Sequence, residues 1–323
     1  MQIRRHITIL LGILALPMVG CAQDAGLSEG ITLLQNGSYS DARGVLRSIV
    51  GSPADSTGEA TVGYLETFLA TGDYPEGLTA ANGLLEEYPD SPYVHYMLGR
   101  LLYSTGQIAR ADSTFRRAAA LKRNYWRNAL ALGELFHESG KQRQANQIFA
   151  TIRNAYKQGY FRTSQTLSVA ARSAAFVEEF RDANNAYNKA NQLDPNNTQN
   201  LIWWADLFRE KYNDADAERT YQDALSINEN LSDAWIGLAR TVGSFAAKEE
   251  YVERALAVNP NSSSALAIRA SLRLLDGQYE VAAQILDQAL QSNPASLELL
   301  AHLAAVYHLK EDSTSFAETE QRA

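Results

Sequence analysis

Small and large apolar positions recur along this chain on a step close to 34 residues. Ala42, Gly77, Ala111, Ala145, Ala183, Ala217, Lys248 and Ala282 mark the beat, at intervals of 35, 34, 34, 38, 34, 31 and 34. Gly99 to Gly133, Gly106 to Gly140, Phe115 to Phe149, Tyr187 to Tyr221 and Pro260 to Pro294 each repeat after 34 residues. Each period predicts two helices. Gly106, Gly140 and Gly277 fall where the first must end and turn. Pro89, Pro195, Pro260 and Pro294 stop the second and start the next period. A glycine inside a helix costs about 1 kcal/mol relative to alanine, so Gly99 and Gly133 require the close approach of a neighbouring helix. Leu98, Leu132, Trp204, Leu238, Phe115, Phe149 and Tyr221 would fill the space around such contacts. One helical pair cannot bury its own apolar face, whereas stacked pairs can.

The local patterns carry a family resemblance. LGRLLYSTGQIARADSTFRRA (98–118) and LGELFHESGKQRQANQIFATI (132–152) follow W-x₂-L-G-x₂-Y and then A-x₃-F, and AERTYQDALSINE (217–229) follows the second half. Over residues 27–323 the chain resembles the tetratricopeptide repeat. That resemblance implies an all-α, right-handed superhelical solenoid of antiparallel helix pairs, with about eight full repeats plus a partial ninth. Residues 27–57 read as a divergent first repeat and 58–323 as the solenoid proper. The 38-residue interval falls at Asn154–Phe161, where added residues must lengthen a helix or loop. The 31-residue interval, around Gly243–Ala247, predicts a shortened turn. The plain reading of both irregular intervals is tolerated loop variation; the sharper alternative is a local change of curvature that exposes Tyr160 and Phe161 as a contact point.

The N-terminus reads as an export address. Arg4 and Arg5 precede a 13-residue apolar stretch, residues 7–19, which is shorter than the roughly 20 residues a membrane-spanning helix needs. Met18-Val19-Gly20-Cys21 resembles the bacterial lipobox, with Met18 where leucine is usual. That resemblance implies removal of residues 1–20 and lipidation of Cys21, the chain's one cysteine, with residues 21–26 as a tether. Secretory cleavage after Ala22 is the competing reading. Two or more acyl chains are needed for a stable anchor, and a diacylglycerol meets that need. Ala22 after the cysteine resembles outer-membrane rather than inner-membrane sorting.

Composition narrows the chemistry. The net charge is −8, and removing the leader takes away two arginines and no acid. That balance argues against a binder of phosphate backbones, which needs clustered Lys and Arg. One cysteine excludes a disulfide scaffold and a multi-cysteine zinc site. His137-Glu138 opens like a zinc-protease motif, but the second histidine is missing. His302 and His308 fall on different helix faces. No nucleophile elbow, phosphate loop or dinucleotide fingerprint is present, and Lys248-Glu249-Glu250 reads as a solvated face. No catalytic residue, cofactor or metal ligand is expected.

What remains is a surface. In the family, first helices line a concave groove through their second, fifth, ninth and twelfth repeat positions. Carried onto this sequence, that places Tyr93, Tyr96, Arg100 and Tyr103 in the groove, then Arg127, Leu130, Glu134 and His137. Gln165, Ser168 and Arg172 follow, then Gln199, Ile202, Asp206 and Arg209. Tyr and Arg concentrate binding energy at interfaces, so a Tyr93/Tyr96/Tyr103 strip beside Arg100 and Arg127 would hold an extended or helical peptide. The competing reading packs those tyrosines against the adjacent helix. Tyr96 and Arg100 stand where some relatives carry a carboxylate clamp, which disfavours capture of chaperone tails. The expectation is a non-enzymatic, lipid-anchored scaffold facing the periplasm and binding protein partners. The alternative is the recruiting arm of a larger envelope enzyme, such as a peptidase, whose catalytic part lies past residue 323. Ala323 falls mid-repeat by the same spacing, so the chain is expected to be a fragment.

Overall fold

The structure, a computed structural model, describes residues 16–323, with side chains from Asp24 onward. Residues 1–15 of the leader and the side chain of Cys21 therefore lie outside the described residues. The described residues form helices in nine pairs and no strand. The pairs are α1 (Leu16–Gln35) with α2 (Tyr39–Ile49), α3 (Glu59–Thr71) with α4 (Tyr74–Glu87), and α5 (Pro92–Ser104) with α6 (Ile108–Leu121). Next come α7 (Trp126–Glu138) with α8 (Gln142–Lys157), α9 (Ser164–Phe176) with α10 (Phe180–Leu193), and α11 (Thr198–Glu210) with α12 (Asp214–Ile227). The last are α13 (Ser232–Thr241) with α14 (Phe245–Val258), α15 (Ser263–Leu275) with α16 (Tyr279–Ser292), and α17 (Leu297–Leu309) with α18 (Ser313–Arg322). Among the described residues no helix is long and apolar enough to cross a membrane. Helix α1 runs through residues 21–26, the stretch read as a tether.

The turns obey the local chemistry. Gly37, Gly72, Gly106, Gly140 and Gly277 leave their first helices with φ between 69° and 79°. Glu178, Tyr212 and Glu311 adopt the same left-handed conformation at the equivalent positions, at φ of 61°, 58° and 57°. An L side chain there costs roughly 1–2 kcal/mol, which the packing of the two flanking helices must offset. Repeat 7 avoids that conformation: α13 has only 10 residues and leaves through Val242 at φ −74°. The 31-residue interval is thus a shortened helix as well as a shortened turn. The 38-residue interval lengthens α8 to 16 residues. There Tyr160 is 68% exposed, but Phe161 is buried with its ring 5.1 Å from Trp126. The sharper reading of a paired contact point therefore fails at Phe161, which packs on Trp126 of α7 and leaves a single exposed tyrosine.

Packing between the two helices of a repeat is a size match. A Cβ at Gly133 would lie 2.6 Å from the Phe149 ring, and one at Gly99 would lie 2.5 Å from the Phe115 ring. The glycines make room for an aromatic side chain on the paired helix; the sequence reading expected helix backbone there. Buried amides add a second link. Asn128 Nδ2 donates to the Phe115 carbonyl at 3.0 Å, and Asn200 Nδ2 donates to the Tyr187 carbonyl at 3.2 Å. Both step 13 residues back from a first helix to the preceding second helix, so each buried side-chain amide finds its partner in a helix carbonyl of the repeat before.

The odd-numbered helices also pack on one another in succession, forming the inner wall of the solenoid. The wall curves until the chain meets itself. Tyr39 Oη donates to the Asn230 carbonyl at 2.7 Å, and Asn259 Nδ2 donates to Tyr74 Oη at 3.1 Å. Repeats 1 and 2 thus touch the ends of repeats 6 and 7, and the coil encloses a central lumen.

Candidate partner-binding lumen

The lumen is a cavity of about 1900 Å³ lined by first helices and the turns between repeats. Of the residues expected at the groove, Arg100, Tyr103, Arg127 and His137 line it. Gln165, Gln199 and Ile202 do so from later repeats. The rest of the tyrosine strip does not. Tyr96 is 4% exposed, with its ring 5.1 Å from Tyr125 and 6.4 Å from Phe115. Tyr93 lies edge-on to Tyr125 at 5.4 Å and accepts a hydrogen bond from Lys122 Nζ at 2.6 Å. Tyr125 is the reason: it wedges between the two tyrosines and draws both into the wall. Burial among these rings pushes the Tyr125 phenol well above its usual range.

Glu134, Arg172 and Arg209 are half-buried in the wall behind the lumen surface. They belong to a pattern that reading by groove position overlooked. Glu66, Arg100, Glu134, Arg172, Asp206 and Arg240 occupy one repeat position and alternate in sign, at steps of 34, 34, 38, 34 and 34. Arg100 is ion-paired with Glu66, while Arg172 reaches Glu134 at 3.4 Å and Asp206 at 3.6 Å. Five of these charges thus have an ion-paired opposite on the adjacent repeat, whereas exposed Arg240 pairs with Glu298 of α17 at 2.6 Å. Desolvation works against the Arg172 charge, but Glu134 and Asp206 outweigh it and keep the guanidinium charged. Desolvation also dominates at Glu134 and lifts its carboxyl above the usual range despite Arg172. We read that asymmetry as one arginine shared between two acids. Alternation of sign at a fixed period was visible in the sequence. Tyr221 Oη donates to Asp206 at 2.7 Å, and burial raises its phenol well above the ordinary value. Arg209 Nε is sealed from solvent without a hydrogen-bond partner among the described residues.

Arg127 differs from its neighbours in the ladder. No carboxylate lies within ion-pair distance of it among the described residues; its guanidinium sits 5.5 Å from the Tyr96 ring centroid and faces the lumen. Desolvation opposes its charge, while the surrounding phenols and Glu66 favour it. An arginine that is charged, aromatic-backed and without an ion-pair partner among the described residues is an available polar anchor on the wall. Among the described residues, no group of His, Cys, Asp and Glu is arranged to hold a metal ion.

Nine antiparallel helix pairs with a continuous inner wall define an α-solenoid. Residues 68–132 match one tetratricopeptide-repeat profile, and residues 27–92 and 238–296 match a second. Together these cover about half of the sequence, and the chain belongs to the tetratricopeptide-repeat family. Among solved structures it is similar to a chain of the APC/C hetero-tetramer Cut9–Hcn1, with a TM-score of 0.53 and 14% identity. That match covers 92% of this chain and 57% of the other, so this chain spans a little over half its neighbour's length. Among curated proteins none matches the sequence.

Proposed function

We propose that this protein is a non-enzymatic scaffold that holds an extended stretch of a partner polypeptide in its lumen, and that Cys21 anchors it in a bacterial envelope membrane. Tetratricopeptide repeats are protein-interaction scaffolds, so partner binding is the coarse reading the family supports. The finer reading rests on one observation: Arg100, Tyr103, Arg127 and His137 converge on a cavity of about 1900 Å³ with amide and hydroxyl groups around them. An extended peptide offers carbonyls and carboxylates for Arg127 and a backbone for the lining amides. The envelope assignment rests on the Met18–Cys21 run after a charged, apolar leader. Outer-membrane placement rests on Ala22.

A photoreactive amino acid at Gln165 should crosslink a partner from an envelope extract. Tyr103→Ala with Arg127→Ala should weaken capture at least about tenfold, which is about 1.4 kcal/mol, at an unchanged melting temperature. Loss of stability in step with binding would mark those residues as structural and sink the lumen reading. For the anchor, labelled palmitate should enter the wild-type chain and not Cys21→Ser. A soluble mature protein beginning at Gln23 would overturn it.

A further inference from the structure

The contact between the first and later repeats is a repeated unit with its own grammar. In its first copy, Tyr39 Oη donates to the Asn230 carbonyl at 2.7 Å and accepts from Asn228 Nδ2 at 3.2 Å, while Asn230 Nδ2 donates to the Gly37 carbonyl at 3.3 Å. In its second, Asn259 Nδ2 donates to Tyr74 Oη at 3.1 Å, and Asn261 Nδ2 donates to the Gly72 carbonyl at 3.0 Å. Both copies join a glycine turn with a following tyrosine to an Asn-x-Asn turn about 190 residues later. The glycines are required by close approach as well as by φ: a Cβ at Gly37 or Gly72 would lie 2.2 or 2.1 Å from the facing asparagine Oδ1. The third copy is degenerate. Ile108 stands where the tyrosine would be and Ala295 where the second asparagine would be, leaving Asn293 against Gly106 without a cross-turn hydrogen bond.

The asparagine turns do not need the contact in order to form. Asn230 and Asn261 donate their own backbone N–H to Asn228 and Asn259 Oδ1, at 2.8 and 3.0 Å. Asp194-Pro195-Asn196 builds the same turn, with Asn196 N–H on Asp194 Oδ1 at 3.0 Å, and makes no hydrogen bond to a distant repeat. The side-chain amides of Asn230 and Asn261 are thus committed to closure alone. The cross-turn hydrogen bonds are all between uncharged groups, and such bonds contribute modestly because water replaces them on opening. An apolar seam would hold the coil shut, whereas this one can part.

We infer that these two Tyr–Asn–Gly contacts form a reversible clasp that closes the solenoid laterally and gates the entry of a polypeptide segment into the lumen. Closed, the clasp makes the lumen a tube reached from its ends; open, it becomes a groove reached from the side. That role presupposes the lumen as the partner site, whereas the opening itself can be measured without a partner.

The test uses the full chain in a Cys21→Ser background with one lumen thiol, Gln199→Cys. Small N-ethylmaleimide should label it quickly whatever the state of the clasp. A bulky polyethylene-glycol maleimide should label the parent slowly. Asn230→Ala with Asn261→Ala should raise the bulky-reagent rate roughly tenfold or more, leave the small-reagent rate unchanged, and enlarge the radius of gyration in X-ray scattering. Asn124→Ala, an exposed residue at the equivalent place in repeat 3, should change neither. Tyr39→Phe with Tyr74→Phe, which removes only two hydroxyls, should act in the same direction. Equal bulky-reagent rates in parent and folded variants would overturn the gate. So would unfolding of both double variants, which would make the contact a requirement of the fold. Failure of the partner crosslink alone would overturn the functional reading and leave the clasp standing.

Discussion

Repeat 2 (α3 and α4) and repeat 4 (α7 and α8) are the same unit solved in two ways. At the two positions where the paired helices meet most closely, repeat 4 places Gly133 opposite Phe149. Repeat 2 places Leu65 and Ala81 at the equivalent positions, both fully buried. The large residue has moved to the other helix, and the sum of sizes is kept. The turns differ as well. Gly72 is pressed against Asn259, whereas a Cβ at Gly140 would meet nothing within 4 Å. The period therefore specifies volume per layer and leaves open which helix supplies it.

The largest expected effect tests that volume rule. Phe149→Ala should destabilise the chain by about 3–5 kcal/mol, because its ring is fully buried and the cavity cannot collapse onto a glycine. Adding Gly133→Leu, which copies repeat 2 into repeat 4, should recover part of that loss in urea unfolding. A double variant less stable than Phe149→Ala alone would show that the two repeats are not interchangeable solutions.

Gly133→Val alone comes next, at about 1–3 kcal/mol from overpacking. It forces a methyl into the Phe149 ring, whose edge lies 2.6 Å from the position of the new Cβ. Exposed Glu138, one turn further along the same helix, should tolerate change within about 0.5 kcal/mol. Thermal melts of the pair separate the two. Comparable losses would mean that the glycine is not the tight point.

Much of this was readable from one sequence. The 34-residue step, the turn glycines and the prolines are local, each fixed by a backbone preference acting within a few residues. Pro89, Pro195, Pro260 and Pro294 each fall two residues past the end of a second helix, as with Pro195 after Leu193. The ladder from Glu66 to Arg240 was equally readable, but it emerges only when one repeat position is followed down the chain for its sign. The burial of Tyr96 was harder, because it depends on Tyr125, a residue between helices with no fixed place in the repeat pattern. The contact between Tyr39 and Asn230 was out of reach. It depends on the small rotation per repeat, summed over several repeats, and no residue spacing records that angle.

The third test separates the two turns. Gly72→Ala and Gly140→Ala both place a Cβ at positive φ, at 75° and 69°, for roughly 1–2 kcal/mol each. Gly72→Ala alone also drives that Cβ to 2.1 Å from Asn259 Oδ1. It should therefore cost more than Gly140→Ala and should enlarge the coil in scattering, while Gly140→Ala should leave its dimensions unchanged. Equal costs and equal dimensions would indicate that the Asn259 contact is loose in solution.

The smallest effect concerns two carboxylates of opposite behaviour. In repeat 2, burial works against the Asp73 charge, but hydrogen bonds from Arg43 at 2.8 Å and from Thr71 outweigh it and hold the carboxyl below its usual range. Its folded value lies under the unfolded one, so its stabilisation is present above the ordinary aspartate range and is lost as pH falls through the folded value. In repeat 4, desolvation lifts Glu134 above its usual range against the pull of Arg172. The folded state then binds the proton more tightly than the unfolded one. Stability falls as pH rises from the ordinary glutamate range through the raised value, and is level beyond it. Melting temperatures of Asp73→Asn and Glu134→Gln, each subtracted from wild type between pH 3 and pH 7, should therefore give difference curves of opposite slope. Glu134→Gln keeps a hydrogen-bonding group beside Arg172, and Asp206 still neutralises that arginine, so its curve reads the Glu134 proton alone. The Asp73 curve should be the shallower, because that carboxylate is 43% exposed and solvent screens its pairing. Curves of the same slope would mean that the ladder holds its acids as firmly as the turn does, and the contrast between the two repeats would then be one of packing alone.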